Sequence, residues 1–302
     1  MSSLAIALVS TAAVMHAYWN LLSKRQNPAA AFFLVVSLVA ALVLAPLLIY
    51  YRQALFLIPT GVWLLLLFSA GFESLYYVAL AGSYRNGDMS LVYPLARALP
   101  VLMVTGISLR LGLGKPISLA GLAGILAVVV GCLILPMRSL REFKLNNYLN
   151  PWCLLAIVAA AGTTGYTLID NESLRRLRAM PALGMGTVQV TLFYYGLVSL
   201  AICALLGIFV AFSTAEHARL RVLRERGLPS AFLTGLINTA GYSMVLVAMA
   251  FASNISYIAA FRQLSIPLGA ALGIVVQKDP VSAPKVIGTA IVLAGLIVVT
   301  LG

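Results

Sequence analysis

Ten runs of apolar residues, each close to twenty positions long, account for most of the chain. Their approximate limits are 3–23, 30–51, 61–83, 89–110, 117–136, 151–170, 184–212, 230–252, 254–276 and 283–301. Charge, proline and glycine gather in the short breaks between them, as at Arg85–Asp88, Gly112–Pro116 and Lys278–Pro284. A helix of about twenty apolar residues crosses the hydrocarbon layer of a bilayer. The pattern therefore predicts an all-α integral membrane protein with ten transmembrane helices. The eighth and ninth runs meet tightly at Ser253-Asn254, and Tyr50, Tyr51, Trp63, Tyr148 and Trp152 fall near run ends, where interfacial aromatics collect.

Composition agrees. The 302 residues are 62% hydrophobic and 9% charged, against about 25% charged in soluble domains, and no stretch outside the runs is long enough for a further domain. The formal charge of +12 does not point to nucleic acid, because 18 of the 20 Lys and Arg residues lie in the breaks or at the run ends beside them. Breaks after odd-numbered runs hold 12 of them and breaks after even-numbered runs 6, which favours both termini outside. That margin leans on Glu216–Arg226, expected as a short helix on the membrane surface, and the orientation stays open. The first run lacks the charged start and cleavage site of a signal peptide, so Leu4–Leu22 reads as a retained span. Cys132, Cys153 and Cys203 read as small buried hydrophobes.

The two halves echo each other. A shift of 164 residues superposes Gly124 on Gly288, Gly131 on Gly295, Pro116 on Pro280 and Ser118 on Ser282; Arg97 reaches Arg262 with one residue more. Residues 1–140 and 150–302 then form two five-span units. Five is odd, so two copies in one chain insert with opposite orientation, the inverted-repeat logic of secondary transporters.

Arg97 and Arg262 stand near the middle of the fourth and ninth runs, where an arginine costs about 2.5–3.5 kcal/mol on insertion scales. Both are flanked by proline, in Tyr93, Pro94, Arg97, Pro100 and in Tyr257, Arg262, Gln263, Ser265, Pro267. Glu73 is the one acid well inside a run, clustered with Ser69, Tyr76 and Tyr77, and Arg97 in the next run is its natural partner. His16, Asn20 and Lys24 share one helical face beside Trp19. Thr163, Tyr166, Thr167 and Asp170 form a stripe in the sixth run, and Thr234, Asn238 and Tyr242 in the eighth. Runs one, three, four, six, eight and nine carry such stripes, so they are expected to line a central cavity. Runs two, five and ten carry almost none. The paired glycines of runs five and ten, Gly124, Gly131, Gly288 and Gly295, suit close helix packing.

Several motifs are missing. There is no phosphate-binding GxxxxGK[ST] loop, HExxH or GxSxG, and one of only two histidines, His217, lies in a break. A non-enzyme with no cofactor and no metal is expected.

The segments Ala12–Lys24, Tyr93–Pro100 and Phe261–Pro267 resemble EamA-type members of the drug/metabolite transporter superfamily. The likeness spans essentially the whole chain and implies a ten-helix basket of two inverted repeats around a cavity. Two departures matter. The glycine–glutamate pair that many such repeats carry before the last helix reads Gly114-Lys115 and Lys278-Asp279 here, and the first two runs hold no acid, so proton-coupled drug efflux does not carry over by motif.

These readings converge on a multi-pass secondary transporter of a bacterial inner membrane. It moves a small polar metabolite, an amino acid or organic anion rather than a drug cation, by alternating access. The expected substrate-binding set is Arg97, Arg262, Glu73, His16, Asn20, Trp19, Tyr76, Tyr93, Tyr242, Asn238 and Gln263, with Glu73 also as the proton-coupling group. Expected partners are the solute and the lipid bilayer, with a monomer as the plausible state. The alternatives are cationic drug efflux through Glu73, a membrane scaffold, and an integral-membrane enzyme.

Overall fold

The side chains that cannot face hydrocarbon decide which way each helix turns. The computed structural model describes residues 1–24, 29–137, 149–278 and 280–301. Its helices are α1 (Ser3–Lys24), α2 (Ala30–Tyr50), α3 (Thr60–Asn86), α4 (Met89–Leu111), α5 (Leu119–Ile134), α6 (Pro151–Arg178), α7 (Thr187–Phe212), α8 (Thr214–Arg226), α9 (Leu228–Ala248), α10 (Ile255–Phe261), α11 (Ser265–Gln277) and α12 (Ala283–Leu301). The described residues contain no strand. Among the described residues, eight helical stretches are long and apolar enough to cross a membrane, and Ser3–Trp19 and Leu119–Ile134 are shorter apolar helices. This is a multi-pass helical membrane protein. Its outward faces are apolar, with Leu42, Ile49, Phe212 and Val275 exposed, while Ser69, Glu73, Thr167, Asp170, Thr191 and Thr234 are buried. Polar groups turn inward because lipid offers them no hydrogen-bond partner.

Local chemistry sets the helix ends. Asn150 caps α6 by accepting from the backbone N–H groups of Trp152 and Cys153 at 3.0 and 2.9 Å, with Pro151 in the first turn, where its missing N–H costs nothing. Asn254 caps α10 through Ser256 N–H at 2.9 Å and turns the tight junction of the eighth and ninth runs into a corner. Its amide also donates to the carbonyls of Leu113 and Lys115 at 2.8 and 3.0 Å. Gly114 stands against that corner with φ +82, and a Cβ there would meet the Ser253 carbonyl at 2.7 Å, so only glycine suits the position.

Three features depart from the expected spans. The sixth helix runs to Arg178, not Asp170. Its last turns stay helical because Glu172 accepts from Arg175 and Arg176 on the exposed side, while Arg178 donates to Thr191 and to the Leu246 carbonyl at 2.8 and 2.9 Å. The ninth run breaks. A 3-10 turn, Arg262–Leu264, separates α10 from α11, because Pro267 has no N–H to give the Gln263 carbonyl one turn earlier. Finally, α8 is tied to the bundle. Its buried Glu216 accepts from Ala31 N–H at 3.1 Å, from Arg85 at 3.3 Å and from Arg219, which anchors α8 to the start of α2 and the end of α3.

Packing falls into matched sets. Helix α3 packs on α6 as α1 does on α9. Likewise α4 packs on α6 as α1 does on α11 and the 262–264 turn, and α2 on α9 as α3 on α7. Two further pairings join α2 with α7 and α5 with α12. At the α5–α12 seam the backbones touch. A Cβ on Gly124 would lie 2.7 Å from the Gly295 carbonyl oxygen, one on Gly131 2.8 Å from that of Gly288, and one on Gly288 2.7 Å from the Leu135 backbone. Gly162 of α6 is equally tight against the Phe72 carbonyl of α3, at 2.8 Å.

Gly124→Leu is expected to lower the unfolding temperature in detergent by an amount corresponding to about 1–3 kcal/mol of overpacking. Gly106→Leu, at a position with nothing within 4 Å of a new Cβ, should leave it nearly unchanged.

Candidate functional site

Helices from both halves converge on one polar cavity. Its walls are His16 of α1, Tyr76 of α3, Ala96, Arg97, Pro100 and Val104 of α4, Thr163, Tyr166 and Thr167 of α6, and Ala259, Arg262, Gln263 and Ser265 of the broken ninth span. The free space is small, about 20 Å³, room for a water or two. Both guanidinium groups, each a permanent cation with no acceptor, face this space.

The break in the ninth span sets the position of Arg262 at the start of the 3-10 turn. The guanidinium donates to the Tyr166 hydroxyl at 3.2 Å and the Thr167 hydroxyl at 3.3 Å. It also sits over the rings of Tyr166 and Tyr242, 5.9 and 5.7 Å from their centroids, within cation–π range. Arg97 lies 5.8 Å from the Tyr93 ring on an unbroken α4, in spite of its two prolines. Both arginines thus rest against aromatic faces at the cavity wall.

A second layer lies behind this wall. Asp170 is buried and accepts from the hydroxyls of Ser69, Tyr194 at 2.8 Å and Tyr242 at 2.5 Å. Tyr242 therefore connects the layers, its ring under Arg262 and its hydroxyl on Asp170. One turn along α3 from Ser69, Glu73 accepts from Tyr77 at 3.0 Å through Oε1, while Oε2 has no hydrogen-bond partner among the described residues. Packed rings run through this layer: Phe33 stacks on Tyr77 at 4.5 Å, and Tyr76 meets Tyr77 and Tyr166 at 5.2 and 5.9 Å.

Of the expected binding residues, Arg97, Arg262, His16, Tyr76 and Gln263 line the cavity. Glu73, Trp19, Tyr93, Tyr242 and Asn238 do not. Trp19 stands behind His16 and donates to its Nδ1 at 2.7 Å; Tyr93 and Tyr242 support the arginines; Asn238 is buried on α9. The side chains of Asn20 and Lys24 lie outside the described residues. The expected Glu73–Arg97 ion pair does not form among the described residues, because α3 packs chiefly against α6 and Glu73 turns to Tyr77. Asp170, read as the end of its run, is instead the best-bonded acid of the interior. Its place in the Thr163–Tyr166–Thr167–Asp170 stripe was the signal that it faces inward.

No protein-family model matches this chain, and no curated protein matches it in sequence. A crystal structure of another protein, 17% identical, is similar over 100% of this chain and 99% of its own, with a TM-score of 0.69. At that identity the likeness concerns the fold alone.

Asp170→Leu is expected to destabilise the protein in thermal melts by several kcal/mol, since three hydroxyls would lose their acceptor at about 1–3 kcal/mol each. Asp170→Asn, which keeps one acceptor oxygen, should lose markedly less.

Proposed function

We propose that this chain is a secondary transporter that carries a small anionic or amphoteric metabolite across the membrane by alternating access. The observation that carries the reading is the meeting of Arg97 and Arg262, from corresponding runs of the two halves, around one polar cavity between helices of both. A carboxylate or phosphate-like group there gains charge-assisted hydrogen bonds. The cavity wall is cationic and the acids stand behind tyrosines, which argues against drug cations as cargo. In this reading the architecture is ten spans in two inverted five-helix repeats, residues 1–140 and 150–302, in the manner of EamA-type members of the drug/metabolite transporter superfamily. The matched packing supports it: exchanging α1 with α6, α2 with α7, α3 with α9, α4 with α10–α11 and α5 with α12 turns each of the inter-half pairings described above into another of them or into itself. The bacterial inner membrane is the proposed location.

Only a water or two fits between the arginines, so a solute enters when the halves part. The corner at Asn254, bonded to residues 113 and 115, ties the halves at one end. The Glu216 cluster, which binds α8 to α2 and α3, does so at the other. Opening either end alone gives the two access states. Glu73, with an oxygen free to hold a proton, is the proposed coupling group.

In proteoliposomes screened by counterflow with amino acids, organic acids, phosphonates and quaternary amines, Arg97→Ala and Arg262→Ala should each weaken transport of the accepted solute about tenfold or more, the worth of a hydrogen bond to a charged group. Unchanged transport by folded variants rejects their role. For Glu73→Gln, accumulation driven by a pH gradient should vanish while solute exchange at equal pH persists.

A further inference from the structure

We propose that His16 and Gln263 read the polarity of the solute. His16 presents one fixed N–H donor and Gln263 one fixed oxygen acceptor, so the site prefers a small acid bearing its own N–H or O–H group to an acid of equal size without one. The inference rests on the transport reading above and adds to it two specificity-determining atoms.

The donor follows from Trp19. An indole N–H can only donate, and it points at His16 Nδ1 from 2.7 Å. Nδ1 must therefore hold a lone pair, which puts the ring proton on Nε2; an imidazolium would set N–H against N–H. Trp19 itself is held edge-on to Phe33, with centroids 6.5 Å apart, and is buried. His16 is 6% exposed, lines the cavity, and its Nε2 has no hydrogen-bond partner among the described residues.

The acceptor follows from the backbone. Gln263 Nε2 donates to the Ala259 carbonyl at 3.1 Å. A flipped amide would bring two oxygens together, so Oε1 is fixed as the free end. It too belongs to a buried cavity residue, 7% exposed, and has no partner among the described residues. Beside two guanidinium groups, the pair forms the negative image of an acid whose carbon chain also carries a hydroxyl or amino group. A plain acid would leave Oε1 buried and unsatisfied, the asymmetry that makes polar sites selective.

Alanine, lactate and propionate share one skeleton and differ at a single substituent, which makes them the probes. With Trp63→Phe and Trp152→Phe, Trp19 is the sole tryptophan, and its emission reports on the neighbour of His16. Alanine or lactate should change that emission at concentrations at least tenfold below propionate, and Gln263→Leu should erase the difference. A second measurement needs no solute. With His217→Asn, nitrogen-15 resonances of labelled histidine come from His16 alone, and at neutral pH they should show a protonated Nε2 beside an unprotonated Nδ1. A proton on Nδ1 or on both nitrogens, an equal response to propionate, or silence toward all three probes overturns the proposal. An equal response to propionate leaves anion transport standing; insensitivity of transport to Arg97→Ala and Arg262→Ala overturns the transport reading itself.

Discussion

A guanidinium group at mid-span has five N–H donors and a charge it cannot lose, and hydrocarbon can satisfy none of them. That constraint organises the bundle. Arg262 is met by two tyrosine rings and two hydroxyls, and Arg97 rests by Tyr93. To supply such partners, α1, α3, α4, α6 and the broken ninth span turn their polar stripes toward one another. Their apolar backs are then left to lipid or to the apolar packing around the cavity.

Bringing so many polar faces together requires the helices to approach closely without a hydrophobic drive between them. Glycine meets that need. The α5–α12 seam is a backbone-to-backbone contact through Gly124, Gly131, Gly288 and Gly295, and α6 is drawn onto α3 through Gly162. Seam and cavity are thus separate solutions to one problem. The scaffold helices α5 and α12 pack through glycine along their seam, while α3 and α6 meet at Gly162 and leave tyrosine and threonine side chains of the same helices to line the cavity. The 3-10 turn at Arg262 belongs with this: it keeps the helical path and its local backbone hydrogen bonds while it tightens the stretch that carries Arg262 and Gln263 to the cavity wall.

Much of this was legible in the chain. The apolar runs gave the helices because span length is set by the bilayer. The arginines stood out because their cost is large enough to demand a reason. What could not be read was pairing. Glu73 and Arg97 lie in successive runs, and adjacency along the chain argued for an ion pair. The dominant neighbour of α3 is α6, however, and only tertiary packing decides that. The end of the sixth run was misplaced for a related reason: Glu172, Arg175, Arg176 and Arg178 look like a loop by hydropathy. Side-chain pairing keeps them helical, and the extra turns move Asp170 from a terminus into the interior.

Separating cations from acids has a further physical consequence. Had Glu73 or Asp170 faced Arg97 or Arg262 directly, each charge would have satisfied the other; in the transport reading proposed above, an entering anion would then have had to displace a carboxylate. Tyrosines stand between the layers instead. Tyr242 gives its ring face to Arg262 and its hydroxyl to Asp170, so the acid offsets the buried positive charge without occupying the donors. Arg262 is thereby held in the membrane interior by a division of labour, with a compensating acid at a distance and aromatic faces against the guanidinium.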